Sequence, residues 1–146
     1  MSDRPTLVTE IALEVFRLNG DLLAAGDDLV GDIGLTSARW QVLGAIEMSP
    51  VPLPVAHLAR NMGLSRQAVQ RIVNELETEG LIVYAANPHH ARAKLVRLTD
   101  KGASAFAAAM ERQRPWVKDL GRGLAVDDLK TVLKVLCALR ARMEQA

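Results

Sequence analysis

Gln67, Gln70, Arg71 and Asn74 follow one another at steps of three, one and three residues, a spacing that gathers them on one side of a helix. They are the side chains that read base edges. A guanidinium donates a paired set of hydrogen bonds to guanine, and a primary amide both donates to and accepts from adenine in the major groove. Ser65 and Arg66 stand just before them. A second group lies between Tyr84 and Lys101, where Arg92, Lys94, Arg97 and Lys101 face Asp100 alone, with His89 and His90 beside them. Such local positive charge suits phosphate, although the chain carries a formal net charge of only +1. Each group has a plainer alternative: a solvated helix face for the first, and for the second a charged strand edge that discourages strand addition.

Other chemistries find little to work with. There is no glycine-rich phosphate loop, no HExxH, no GxSxG and no cysteine–histidine pair at a recognisable spacing, so no enzyme and no cofactor is expected. His89 and His90 lack a third ligand for a metal, and a partly protonated pair near phosphate is the simpler role. His57 lies between apolar positions and reads as half-buried. Cys137 is the single cysteine, which fits a reducing cytoplasm, and its spacing from Leu133 suits a small half-buried core residue better than a reactive thiol. Asp127 and Asp128 read as a helix cap and as complements to the helix dipole. Trp40 suits the core, yet it and Phe16 could also wall a cavity for an effector.

A chain of 146 residues points to one domain. Hydrophobic residues make up 49% but aromatic ones only 3%, so the core must come from aliphatic side chains, which suits packed helices. The longest apolar runs, 81–86 and 105–110, are too short to span a bilayer, and no export signal is expected. Charge is segregated: residues 1–35 hold two basic and seven acidic side chains, whereas 36–102 and 103–146 each hold eight basic and five acidic.

The first segment sets Val8, Ile11, Val15, Leu18, Leu22, Ala25 and Leu29 at alternating steps of three and four, which predicts a long helix starting near Pro5 and Thr6 and ended by residues 31–34. Its apolar stripe exceeds what one short neighbour can cover, which suggests a partner chain. Thr36 or Ser37 caps a second helix to about Glu47, and Pro50, Pro52 and Pro54 then break the chain. A short helix from Pro54, a turn at Gly63 and a helix capped by Ser65 make helix-turn-helix spacing. In the last of these Val69, Ile72, Val73 and Leu76 form the inner face, leaving the base-reading set outward. Glu75, Glu77 and Glu79 make its far end a poor neighbour for phosphate. Gly80 ends the helix. Strands at 81–85 and 94–98 then form a hairpin whose loop, 87–93, carries Arg92 toward a minor groove. An alanine-rich helix follows, in which Pro115 should kink or interrupt the path near Glu111. A last helix begins near Asp127, with Leu129, Val132, Leu136, Leu139 and Met143 at three-four spacing.

This order of elements, with residues 35–43, the stretch from Leu58-Ala59 to Gly80-Leu81, and residues 93–102, resembles the MarR family of winged helix-turn-helix transcription regulators. The resemblance covers almost the whole chain. It implies a mainly α fold with a small β-hairpin: one MarR-like domain over 1–146, with a winged helix-turn-helix part at 36–102 and a helical dimerisation part from 1–35 and 103–146. It also implies a cytoplasmic homodimer with interlocking first and last helices, a palindromic operator in double-stranded DNA, and control by a small aromatic or anionic effector or, in some members, by cysteine oxidation. The family's wing usually carries an acidic residue two positions before its tip arginine. Here His90 precedes Arg92 instead.

The expectation is therefore a sequence-specific DNA-binding repressor, released by an effector, with Ser65, Arg66, Gln67, Gln70, Arg71, Asn74, Arg92 and Lys94 at DNA. Half-sites would lie about one helical turn apart, ~10–10.5 bp or a multiple. The rivals are a winged module that binds proteins without specific DNA recognition, and a redox switch through Cys137.

Overall fold

Asp3 opens the fold by accepting a hydrogen bond from the Thr6 amide at 2.9 Å, which caps a 27-residue helix α1, Arg4–Val30, in a computed structural model that describes residues 2–146. A 3₁₀ turn, Gly31–Ile33, ends in Gly34 at φ 86°, a left-handed conformation that favours glycine. Thr36 then caps α2, Ser37–Met48, through the Arg39 amide. The corner between α1 and α2 is tight: Asp27 accepts from the Ser37 amide at 2.7 Å, and the Ser37 hydroxyl donates to the Leu23 carbonyl at 2.6 Å. Gly26 sits against that serine because an added Cβ would lie 2.1 Å from its oxygen.

The proline-rich segment is more than a break. Leu53–Pro54 forms a short strand β1, followed by α3, Val55–Met62, and α4, Arg66–Thr78. Strands β2, Ile82–Ala85, and β3, Leu95–Leu98, complete an antiparallel sheet in the order β1-β3-β2. The hairpin read from the sequence thus has a third strand, with Leu53 opposite Val96 and Pro54 opposite Leu95. Proline is tolerated there because the strand is at an edge. The core joins α2, α3, α4 and the sheet, with Leu43, Leu58, Leu76 and Val96 almost wholly buried. Each such side chain contributes on the order of 1.5–3 kcal/mol.

Thr99 ties the sheet to its neighbours. Its amide donates to the Leu81 carbonyl, its hydroxyl donates to Gly80, and that same oxygen accepts from the Gly102 amide as α5 begins. Gly102 is obligatory for space, since a Cβ there would stand 2.0 Å from the Leu81 carbonyl oxygen. Helix α5, Asp100–Leu120, runs through Pro115 as one helix, so of the kink or interruption expected there the interruption does not occur. A proline removes one donor, and the alanine-rich turns before it are strong helix formers that carry the helix through.

The chain forms two compact units, one ending at Gln113 and the other running from Arg114 to Ala146. The second contains the end of α5, a turn in which Gly123 has φ 82°, and α6, Val126–Glu144. Two expectations need correction here. Ala125, not an aspartate, stands at the start of α6 and no side chain caps it, so Asp127 and Asp128 serve its dipole only. Cys137 is exposed rather than half-buried, because α6 has no buried residue within this chain. Among the described residues no helix is long and apolar enough to cross a membrane.

Candidate nucleic-acid interface

The turn between α3 and α4 is built by Gly63, at φ 68°, which ends α3 while the Leu64 amide reaches back to the Ala59 carbonyl at 3.0 Å. Ser65 then accepts from the Ala68 amide at 3.1 Å and starts α4. One face of α4 buries Val69, Ile72, Val73 and Leu76. The other presents Arg66, Gln67, Arg71 and Asn74 to solvent, with Gln70 half-buried. The inner and outer faces are those expected from the spacing of the apolar residues.

The wing returns toward the start of this helix. A cleft of about 490 Å³ opens between them, with Arg66, Gln67 and Gln70 from α4 on one side and His90, Arg92 and Lys94 from the wing on the other. Tyr84 and the segment Pro54–Ala56 form its remaining wall. No carboxylate lines it, and among the described residues Arg66, Arg92 and Lys94 make no ion pair. Three unpaired cations around a concave surface of this kind suit a polyanion backbone. Ser65, Arg71 and Asn74 lie outside the cleft on or beside α4, and neither Phe16 nor Trp40 lines it. Phe16 is 74% exposed on α1, whereas Trp40 packs half-buried against the core.

Two features escaped the sequence reading. Asn87 holds the wing tip: its side-chain oxygen accepts from the His89 amide at 3.0 Å, and its side-chain nitrogen donates to the Ala93 carbonyl at 2.9 Å. The tip is thus shaped by an amide acting on the backbone, without a carboxylate on Arg92. The signal was the Asn87-Pro88 pair, which favours this kind of turn. The second feature is Arg39 on α2, which donates to both carboxylate oxygens of Glu79, at 2.8 and 2.9 Å, and lies 3.4 Å from Glu75. Burial opposes the charge on Arg39, but hydrogen bonds and attraction from Glu79 and then Glu75 outweigh it and raise its pKa further. No sequence pattern links residues 36 and 40 positions apart. Among the described residues no three His, Cys, Asp or Glu side chains converge as a metal site requires.

With this geometry in view, comparison with known proteins identifies the chain. A MarR family model matches residues 33–93, and an uncharacterized protein of Mycobacterium tuberculosis is 36% identical over 112 residues, covering 77% of this chain and 75% of that one. The chain belongs to the MarR family. It is also similar to the transcriptional activatory protein BadR of Rhodopseudomonas palustris, 23% identical over 95% of this chain and 81% of that protein. Among solved structures, CouR from Rhodococcus jostii, bound to p-coumaroyl-CoA, has the same fold, with TM-score 0.79 and 23% identity over 91% of this chain and 93% of CouR. This MarR family protein is therefore a winged-helix transcription regulator and not an enzyme.

Proposed function

We propose that this MarR family protein is a homodimeric, sequence-specific DNA-binding repressor of the cytoplasm, released from its operator by a small aromatic or anionic effector. The observation that carries the DNA reading is the carboxylate-free cleft between wing and α4, lined by Arg66, Arg92 and Lys94. In this reading the cleft and its cations straddle the phosphate backbone, whereas Gln67, Gln70, Arg71 and Asn74 read base edges in the major groove. Ser65 sets the start of the reading helix. The winged part corresponds to residues 36–102, with 1–35 and 103–146 serving dimerisation.

Dimerisation is supported by unused apolar surface. Helix α1 buries only Gly26 and Val30 along 27 residues, and leaves Val8, Val15, Leu18 and Leu22 at least 40% exposed. Helix α6 buries nothing and exposes Leu129, Val132, Leu133 and Leu136. Faces of this size seek cover, and a second copy supplies it while setting two reading helices at a fixed spacing. The effector reading draws on CouR, described as bound to a coenzyme A ester, with Phe16 and Trp40 as the aromatic side chains offered to a ligand.

The test is retention of genomic fragments at several salt concentrations. A specific regulator retains a few fragments over random DNA and loses both steeply with salt; a module that binds only proteins does neither. Activation is the second reading, favoured by the BadR name. A promoter reporter with and without the protein separates the two directions.

A further inference from the structure

Tyr84 lies on β2, opposite Val96 in the sheet, yet its hydroxyl reaches the polar face of α4. Gln70 Nε2 donates to Tyr84 Oη at 2.8 Å and to Asn74 Oδ1 at 2.9 Å. Tyr84 Oη in turn donates to Asn74 Oδ1 at 3.3 Å. The three groups therefore close a ring of hydrogen bonds between the wing and the reading helix.

The ring has a consequence for what each amide can still do. A primary amide has two N–H donors and one carbonyl acceptor. Gln70 spends both donors inside the ring and keeps only its Oε1 acceptor. Asn74 accepts twice through Oδ1 and keeps only its Nδ2 donors. The two-handed grip on adenine, which needs a donor and an acceptor from one amide, is thus withheld from both residues.

We propose that Tyr84 is a specificity-determining positioning residue: it fixes Gln70 as a pure acceptor and Asn74 as a pure donor toward DNA. This deepens the DNA reading above and rests on it. Gln70 then favours the exocyclic amines, adenine N6 or cytosine N4. Asn74 favours acceptors such as guanine N7 and O6, adenine N7 or thymine O4. Without the hydroxyl both amides can turn over and present either end, so discrimination at the two base pairs they face weakens while phosphate contacts are untouched.

The experiment selects duplexes from a random library with the full chain and with Tyr84→Phe, and compares base preferences position by position. The expected result is a loss of about fivefold in preference at two base pairs per half-site, what a single hydrogen bond of about 1 kcal/mol supplies. The slope of affinity against salt stays that of the parent, because the substitution removes no charge. The same sharp motif from both proteins, or a uniform loss over all sequences, overturns the inference and leaves the DNA reading standing. No motif from the parent chain removes both together. A second measurement needs neither DNA nor a folded variant: NMR of the Gln70 side-chain amide in the parent chain. Two N–H signals that exchange slowly with water support the ring, and exchange at the rate of a free amide overturns it.

Discussion

Arg92→Ala isolates the electrostatic part of recognition. Arg92 is exposed at the wing tip, has no ion-pair partner among the described residues, and shares its cleft with Arg66 and Lys94. If it neutralises one phosphate per protomer, a dimer on its operator loses two contacts. Each contributes about 0.9 to the slope of log affinity against log salt, so the slope should become shallower by ~1.8. Between about 50 and 200 mM salt the variant's deficit should then shrink by roughly tenfold, being greatest at the low end. Fluorescence anisotropy with the preferred duplex and with a scrambled one should give the same change in slope, because phosphates carry no sequence. Arg71→Ala supplies the contrast: a loss of ~1–3 kcal/mol confined to the preferred duplex, with the slope retained. An unchanged slope for Arg92→Ala, or equal losses for both variants on both duplexes, refutes the division between affinity from the wing and selectivity from α4.

The packing and titration predictions concern the frame that holds the site. Gly26→Ala forces the Ser37 hydroxyl away from the Leu23 carbonyl and should cost about 1–3 kcal/mol, as overpacking does; adding Ser37→Ala should restore part of it, and a thermal melt of Gly26→Ala at or above that of the parent contradicts the packing. Asp32 accepts a hydrogen bond from Arg112, which holds its carboxyl below the ordinary carboxylate range. Since the folded pKa is the lower one, the contribution is present at neutral pH and is lost as pH falls through the folded value. Arg112→Ala should return the Asp32 midpoint to the ordinary range in a carbon-13 titration, and an unmoved midpoint shows that the pair does not form. Cys137→Ser should leave DNA binding under peroxide identical to that of the parent, and a difference between them revives the redox alternative.

How far the sequence carries is clearest at α4. The apolar steps from Val69 to Leu76 settle which side is buried, and Ser65, Gly63 and Gly80 mark the boundaries, because caps and helical periodicity are local properties. The wing strands were legible for the same reason. Strand β1 was not, since its pairing with β3 joins residues more than forty positions apart and its proline argues against a strand. The ring through Tyr84 and the hold of Arg39 on Glu75 and Glu79 were hidden likewise. Gln70 and Asn74 read as free base readers until β2 delivers a hydroxyl to them. Cys137 is exposed where its spacing suggests half-burial, because three-four spacing says that a helix has an apolar face without saying whether this chain covers it.

The acidic end of α4 shows why these distant contacts matter to recognition. Glu75 and Glu79 stand where a helix dipole already favours positive charge, and left unpaired they would repel a duplex lying along the helix. Arg39 offsets both, and Lys101 donates to the Glu79 carbonyl at 2.8 Å. These pairs are partly exposed, with side-chain exposure of 21% for Arg39 and 45% and 42% for the two glutamates, so their worth in stability is small, about 0–1 kcal/mol. Their effect is on position. Arg39 ties the last turns of α4 to α2, whose Leu43 is in the core, and Tyr84 ties its middle to the sheet. The first turn, with Arg66 and Gln67, is left open to the cleft. A duplex therefore meets a helix held at its acidic end and middle and offering its cations, Arg66 and Arg71, only in its first half, which gives the docking a polarity that net charge alone does not.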